Sequence, residues 1–416
     1  MAELHIKRRL LGQLKENIDG KDILIVAGPR QAGKTTIMKE LAEFLRQKGE
    51  KTLFLNFDYE TDKVNLESQD ALINRVRLEF GNERGFVFID EIQRKKNAGL
   101  FLKGIYDLGL PYKFIVSGSG SLELKESIHE SLAGRKIIFP LGTVDFFEFV
   151  DFKTEYKYSD RLPEFFDVEK QKTNMLLGEY LNFGGYPRVV LAQTLEKKIA
   201  AINEIFSSVI ERDIAGFLGI DRPEAFSTMV KILAAQTGRL IRYSGLAKQI
   251  GVSLPIVKKY LWYAQKTFII DIVPPYFSNK IKEIIKAPVP YFIDLGLCNF
   301  AAGSFGAVGN DRGFVFQNLV KNILDANLKP ASALRFWRTN TGAEVDFVIV
   351  SPKSVVPIEV KFADFERFEM NRSLISFVQQ YRPQKAIVVN KSFTGSRQFE
   401  NTKVLAVPFY LLSANF

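Results

Sequence analysis

The sequence predicts an α/β protein: a parallel sheet first, then helical units, then a second α/β unit. Three observations predict this. Short apolar strands alternate with helical stretches from residue 20 to about 140, the pattern of a parallel sheet covered by helices on both faces. The first strand runs without a break into a glycine-rich turn that opens a helix. The periodicity then changes twice, to helices over about 160–285 and to mixed strands and helices from Pro290. At 416 residues the chain exceeds one ordinary core. The expected units are 1–150 (sheet), 151–224 (helical lid), 225–286 (small helical unit) and 287–416 (second α/β unit).

In the first unit, strands are expected at 23–27, 52–57, 86–90, 113–117 and 136–140. The turn after the first reads Gly28-Pro29-Arg30-Gln31-Ala32-Gly33-Lys34-Thr35, which is G-x-x-x-x-G-K-T, the Walker A or P-loop string. Gly28 and Gly33 let the backbone curl so that its amides face phosphate oxygens. Lys34 is expected to reach the β and γ phosphates and Thr35 to place its hydroxyl on Mg²⁺. The helix from Thr36 aims its positive end at the same anion. Residues 28–36 therefore form the expected nucleotide-binding stretch. A chance glycine turn would lack the strand before it, the helix after it and the Lys-Thr pair at this offset.

The strand 86–90 ends in Asp90-Glu91, a Walker B pattern about fifty residues downstream. Asp90 is expected to hold Mg²⁺ and Glu91 to act as general base on water. The strand 113–117 delivers Ser117, Gly118 and Ser119, and either serine can hold the attacking water or sense the γ-phosphate. A plain Ser/Gly turn is the alternative. Arg135, in Ser131-Leu132-Ala133-Gly134-Arg135, can neutralise charge on the transferring phosphoryl group, in its own subunit or in a neighbour's. An exposed surface ion pair is the competing reading.

These motifs, with Ile89-Asp90-Glu91-Ile92-Gln93, Phe147-Glu148-Phe149, Asn182-Phe183-Gly184-Gly185-Tyr186-Pro187-Arg188 and Glu211-Arg212-Asp213-Ile214, resemble the prokaryotic AAA+-related P-loop ATPases that carry a C-terminal domain of unknown function. The resemblance spans almost the whole chain. It implies ATP as the nucleotide, in keeping with the lack of a guanine-reading Asn-Lys-x-Asp string. By analogy with related signalling ATPases it places Pro187 in a lid against adenine, with Arg188 as a second sensor.

The segment 242–261 is similar to a helix-turn-helix. Ser244 is expected to cap its first helix, Gly251 to end that helix in a left-handed conformation, and Ser253 to cap the second, with Pro255 in the first turn. Leu246, Ile250, Val257 and Leu261 would form the shared core. Lys248, Lys258 and Lys259 would face nucleic acid, and residues 268–273 would supply the strand of a wing. Between Met229 and Lys286 ten basic residues stand against two acidic ones, so this segment holds most of the net charge of +10. Such clustering favours a polyanionic partner, DNA, over a solvated face.

Beyond Pro290 a helix is expected near 313–328, strands at 334–338, 344–350 and 355–361, a helix near 366–380 and a strand at 385–390. Asp346 and Glu359-x-Lys361 resemble the D…E-x-K pattern of restriction-endonuclease-like nucleases. The period of two puts Glu359 and Lys361 on one face. The resemblance implies that Asp346 and Glu359 hold a metal and Lys361 orients water. Gln317 stands where that fold often has a helix glutamate, which leaves cleavage open.

Composition excludes other classes. One cysteine and two histidines rule out a disulfide framework or a Cys/His zinc site, so any metal should be a hard, oxygen-bound cation. No apolar run spans a bilayer and the N-terminus has no signal-peptide core, so a cytoplasmic protein without a membrane partner is expected. Three functions follow: an ATPase coupled to DNA, a nucleotide-gated switch acting on a protein, or an ATP-regulated nuclease. An arginine acting in trans would require a homo-oligomer.

Overall fold

The computed structural model describes residues 5–119, 131–213, 222–277, 287–306, 312–365 and 368–416. Strands β1 (Ile23–Gly28), β2 (Thr52–Asn56), β3 (Gly85–Asp90), β4 (Tyr112–Ser119) and β5 (Lys136–Pro140) form one sheet in the order β2-β3-β4-β1-β5. Every pairing is parallel. β1, β3 and β4 are buried along their whole length, which is why they read as unbroken apolar runs rather than alternating ones. Separate apolar clusters cover the two faces, one around Leu72, Leu102 and Val116, the other around Ile37, Leu41 and Phe88.

The helical segment that follows does not stand apart. Phe146, Phe149, Leu177 and Tyr180 share one apolar core with Phe316, Phe347, Ile358 and Phe409 of the C-terminal unit. A second core joins Tyr186, Val189 and the helix Leu195–Ser207 to the small helical unit. That unit comprises the helices Pro223–Ala235, Tyr243–Ile250 and Leu254–Lys266 and the antiparallel pair β6 (Ile270–Val273) with β7 (Val289–Phe292). The expected boundary at 287 therefore falls inside a strand pair, because pairing across the 274–288 connection leaves no local signal. Leu246, Ile250, Val257 and Leu261 are buried as expected. Gly251, at φ +66°, ends the first helix. Ser244 is not its cap: the helix begins one residue earlier, with Arg242 at the cap position. Ser253 does occupy the second cap position, with extended backbone but no side-chain capping bond. Lys280, Lys282 and Lys286, part of the basic cluster, lie outside the described residues, as do the side chains of the Glu211-Arg212-Asp213-Ile214 motif.

The C-terminal unit is a six-stranded mixed sheet, β8 (Ala333–Arg338), β9 (Glu344–Val350), β10 (Val355–Val360), β11 (Lys385–Asn390), β12 (Gly395–Phe399) and β13 (Thr402–Pro408), in the order β12-β13-β11-β10-β9-β8. The helices Arg312–Ala326 and Arg372–Tyr381 accompany it. No helix among the described residues is long and apolar enough to cross a membrane.

Candidate nucleotide and acidic sites

The strand order builds the first site. β1 carries the glycine-rich loop and β3 carries the acids, and β4 lies between them, so Val26 pairs with Ser117 and Ile89 with Val116. Three strand ends thus meet at one edge, where ligands settle in open parallel sheets. Gly33 has φ +97°, a conformation that favours glycine, and precedes the helix Lys34–Gln47. Gly28 has another cause than the one expected. A Cβ there would lie 2.0 Å from the Leu141 carbonyl oxygen, so this glycine admits the chain leaving β5, whose Leu141 N–H donates to Ala27 at 2.8 Å.

Lys34 is buried, and its ammonium donates to the Gly28 and Pro29 carbonyls at 3.2 and 2.8 Å. The Thr35 hydroxyl donates to Asp90 Oδ2 at 2.6 Å. Asp90 is fully buried and also accepts from the Ser117 hydroxyl and, at 3.4 Å, from Asn56 Nδ2. Glu91 follows in left-handed backbone, φ +59°. Its N–H reaches Ser117 Oγ at 3.2 Å, and its carboxylate accepts from Gln93. The Ser119 N–H in turn donates to Gln93 Oε1 at 3.1 Å. Thr35 and Asp90 bring together hard oxygens of the kind Mg²⁺ takes, with the Asn56 amide donating to Asp90. Lys34, Thr35, Asp90, Glu91 and Ser117 are thereby brought together, with Ser119 contributing through its backbone.

A cleft of about 850 Å³ opens over this edge, lined by Arg30, Gln31, Gly33, Lys34, Thr35, Thr36, Glu91 and, from the helical segment, Pro187, Arg188 and Lys197. Ala32 is buried beneath the loop. Arg188 pairs with Glu204 on the exposed side. The glycine pair before Pro187 is tightly held. A Cβ on Gly185 would lie 1.9 Å from the Val144 carbonyl oxygen, and one on Gly184 2.3 Å from the Gly296 nitrogen. Buried Asp294 accepts from the Gly185 N–H at 2.8 Å.

Arg135 is not brought to this edge. It precedes the first residue of β5, at the opposite end of the parallel sheet, and pairs with Asp107 at 3.0 Å. A role within its own subunit is excluded by that placement, since five residues of strand separate the two edges by roughly 16 Å.

Sequence reasoning missed Asn56 and Arg8, and gave Gln93 no role although it closes the Ile89-Asp90-Glu91-Ile92-Gln93 motif. The Arg8 side chain, 8% exposed, lies behind the loop and donates to Ala32 O, Gly142 O, Thr143 O and Glu148 Oε2 at 2.9, 2.9, 3.1 and 2.9 Å. Burial pushes the Glu148 carboxyl above its ordinary value, nearby Asp145 adds to this, and Arg8 opposes both. A polar residue ending β2 beside the acid-bearing strand was the available sign for Asn56; Arg8 had none.

The second cluster sits on β9 and β10. Asp346 accepts from Gln317 Nε2 at 2.9 Å and from the Val360 N–H at 2.7 Å. Glu359 Oε1 accepts from Lys361 at 2.7 Å and from Asn371. Its other oxygen is buried without a hydrogen-bond partner. Burial, reinforced by Glu359, holds Asp346 well above the ordinary carboxylate range, and burial raises Glu359 against the pull of Lys361. Among the described residues no group of three acidic, histidine or cysteine side chains converges as a metal cage. Lys248, Lys258 and Lys259 are exposed on the two helices of the helical unit.

The loop, the acids and the strand order define an N-terminal P-loop nucleotide-binding class. Residues 20–150 match the AAA domain family, residues 174–307 a domain of unknown function (DUF8612) and residues 312–411 another (DUF4143). An uncharacterized protein of Haemophilus influenzae is 23% identical over 427 residues, covering 99% of this chain and all of the relative. One from Mycobacterium tuberculosis is 26% identical, over 97% of this chain and 83% of its own. A replication initiator DnaA structure, bound to AMPPCP and single-stranded DNA, is 12% identical, with 63% of this chain and 90% of that one covered at TM-score 0.28. The AAA match and the loop geometry support a nucleotide-binding ATPase unit.

Proposed function

We propose that this protein hydrolyses ATP at the β1/β3/β4 edge and couples turnover to DNA through the helical unit. The convergence of Lys34, Thr35, Asp90, Glu91 and Ser117 carries the reading. Lys34 exchanges its loop carbonyls for phosphate oxygens. Mg²⁺, held by Thr35 and through water by Asp90, would supply charge neutralisation on the β and γ phosphates. Glu91 takes the proton of the attacking water, and Gln93 fixes its carboxylate. Ser117 bridges Asp90 and the Glu91 N–H, so it positions both acids. Pro187 and Arg188 close the cleft from the lid, and Arg135 serves only across a subunit boundary in a homo-oligomer. Lys248, Lys258 and Lys259 meet DNA phosphates from a winged-helix arrangement of three helices and the β6–β7 ribbon.

Steady-state ATP turnover with and without duplex DNA tests the coupling. Glu91→Gln should abolish turnover while ATP still binds, and DNA should raise the native rate. An unchanged rate with saturating DNA at low salt would favour a switch acting on a protein.

One observation supports a second activity. The unpartnered buried oxygen of Glu359, beside Asp346 and Lys361, suits a divalent cation in a restriction-endonuclease-like fold. DNA incubated with Mn²⁺ should be cut by the native protein and spared by Asp346→Ala; equal cutting by both dismisses the site.

A further inference from the structure

The helix Leu254–Lys266 buries Val257, Tyr260, Leu261, Tyr263 and Ala264, which anchor it in the core of the helical unit. Its other face carries Leu254, Lys258, Trp262 and Lys266 at four-residue steps, so they follow one another along one row, and Lys259 lies a turn before Trp262. Trp262 is 38% exposed, whereas the chain's other tryptophan, Trp337, is 3% exposed. An indole in water leaves a large apolar area without a partner. Cations flank it. Lys266 Nζ lies 5.5 Å from the Trp262 ring centroid, and Lys259 Nζ 5.6 Å from that of Tyr263. Neither of these lysines, nor Lys258, pairs with a carboxylate among the described residues. From 242 to 266 the sequence holds five basic residues and no acidic one, so no acid of either helix neutralises the row. Duplex DNA matches only part of this face: its phosphates suit the lysines, but its base faces are stacked away from an indole. A strand with unpaired bases offers both a phosphate track and free aromatic faces.

We infer that the outer face of this helix takes single-stranded DNA, one base stacked on the Trp262 indole and the neighbouring phosphates on Lys258, Lys259 and Lys266. The inference rests on the DNA reading proposed for this unit and specifies the form of DNA it holds. Duplex binds the same lysines through phosphates alone, so it binds more weakly and without using Trp262.

Tryptophan emission of the full chain at low salt, with anisotropy of labelled DNA for the affinities, tests this, since Trp262 is the exposed one of two tryptophans. Oligothymidylate of about 16 nucleotides should quench the emission, and a duplex of the same length should bind at least about tenfold more weakly with little quenching. Trp262→Ala should weaken the single strand about tenfold and leave duplex binding unchanged, while Trp262→Tyr, which keeps an aromatic face, should retain most of the affinity. A strand bound no more tightly than the duplex, or one indifferent to Trp262→Ala, overturns the inference and leaves the DNA reading standing. Binding of neither form overturns both. Emission altered by phosphatidylglycerol vesicles but not by the strand would overturn it in favour of a membrane surface.

Discussion

Arg8 joins three segments remote in sequence: the phosphate loop at Ala32, the turn after β5 at Gly142 and Thr143, and Glu148 in the helix Phe146–Lys153. Its removal leaves the buried Glu148 carboxylate without a cation, held only by the Arg9 and Asp145 N–H groups, and breaking such a pair typically costs about 3 kcal/mol. Arg8→Ala should therefore lower stability by about that much and weaken ATP binding, since the loop loses its brace. The double variant Arg8→Met with Glu148→Leu should recover most of the stability, because the uncompensated charge is gone, but not the affinity. Denaturant melts beside ATP titrations separate the two; recovery of affinity in the double variant would show that the brace is irrelevant. None of this was legible in the chain, because the partners lie up to 140 positions apart. Lys34, Thr35, Asp90 and Glu91 were legible, because phosphate and metal chemistry demands those residue types at fixed offsets. Gly28 was legible for a different reason from the true one, its close approach to Leu141 being invisible until β5 is placed.

Among the elements, the strands of the first sheet were readable to within two residues, since burial on both faces makes them continuous apolar runs. β12 was not, because Ser396, Arg397 and Gln398 are exposed on an edge strand. The lid depends on contacts just as silent in sequence. Gly185→Ala drives a Cβ into the Val144 carbonyl and should cost more than about 2 kcal/mol, whereas Gly142→Ala, with open space around it, should stay within about 0.5 kcal/mol. Equal melting temperatures for the two variants would refute this fit. Lys113, on β4, donates to the carbonyls of Asn17, Gly20 and Asp22. Burial lowers its ammonium from 10.5 to about 8, against the pull of Asp22 and Asp19. Above about pH 8 the native protein has released this proton, while the unfolded chain keeps it to about 10.5. The unfolded state then binds more protons, so stability rises with pH across that window. A Lys113→Met variant should lose this rise; a native melting profile that falls from pH 8 to 10 instead would contradict the assignment.

Over the whole molecule, shared cores tie the lid to the C-terminal sheet and to the helical unit, so a displaced lid has a packed route to both. Lys321, buried against Asp271 of β6 and Asp325, adds an ionic link between the helical unit and the helix Arg312–Ala326. If DNA lies on Lys258 and Lys259, changing both to Gln should flatten the plot of log affinity against log salt by about 2, one per lost phosphate contact. An unaltered slope would move the DNA, or the partner, elsewhere. All of this presumes a nucleotide at the sheet edge. Titration calorimetry of Mg·ATP into the native protein and into Lys34→Ala addresses that most directly. The native chain should give saturable heat at one site per molecule and the variant should lose it; a native protein that gives no heat, or a variant that matches it, would contradict the account.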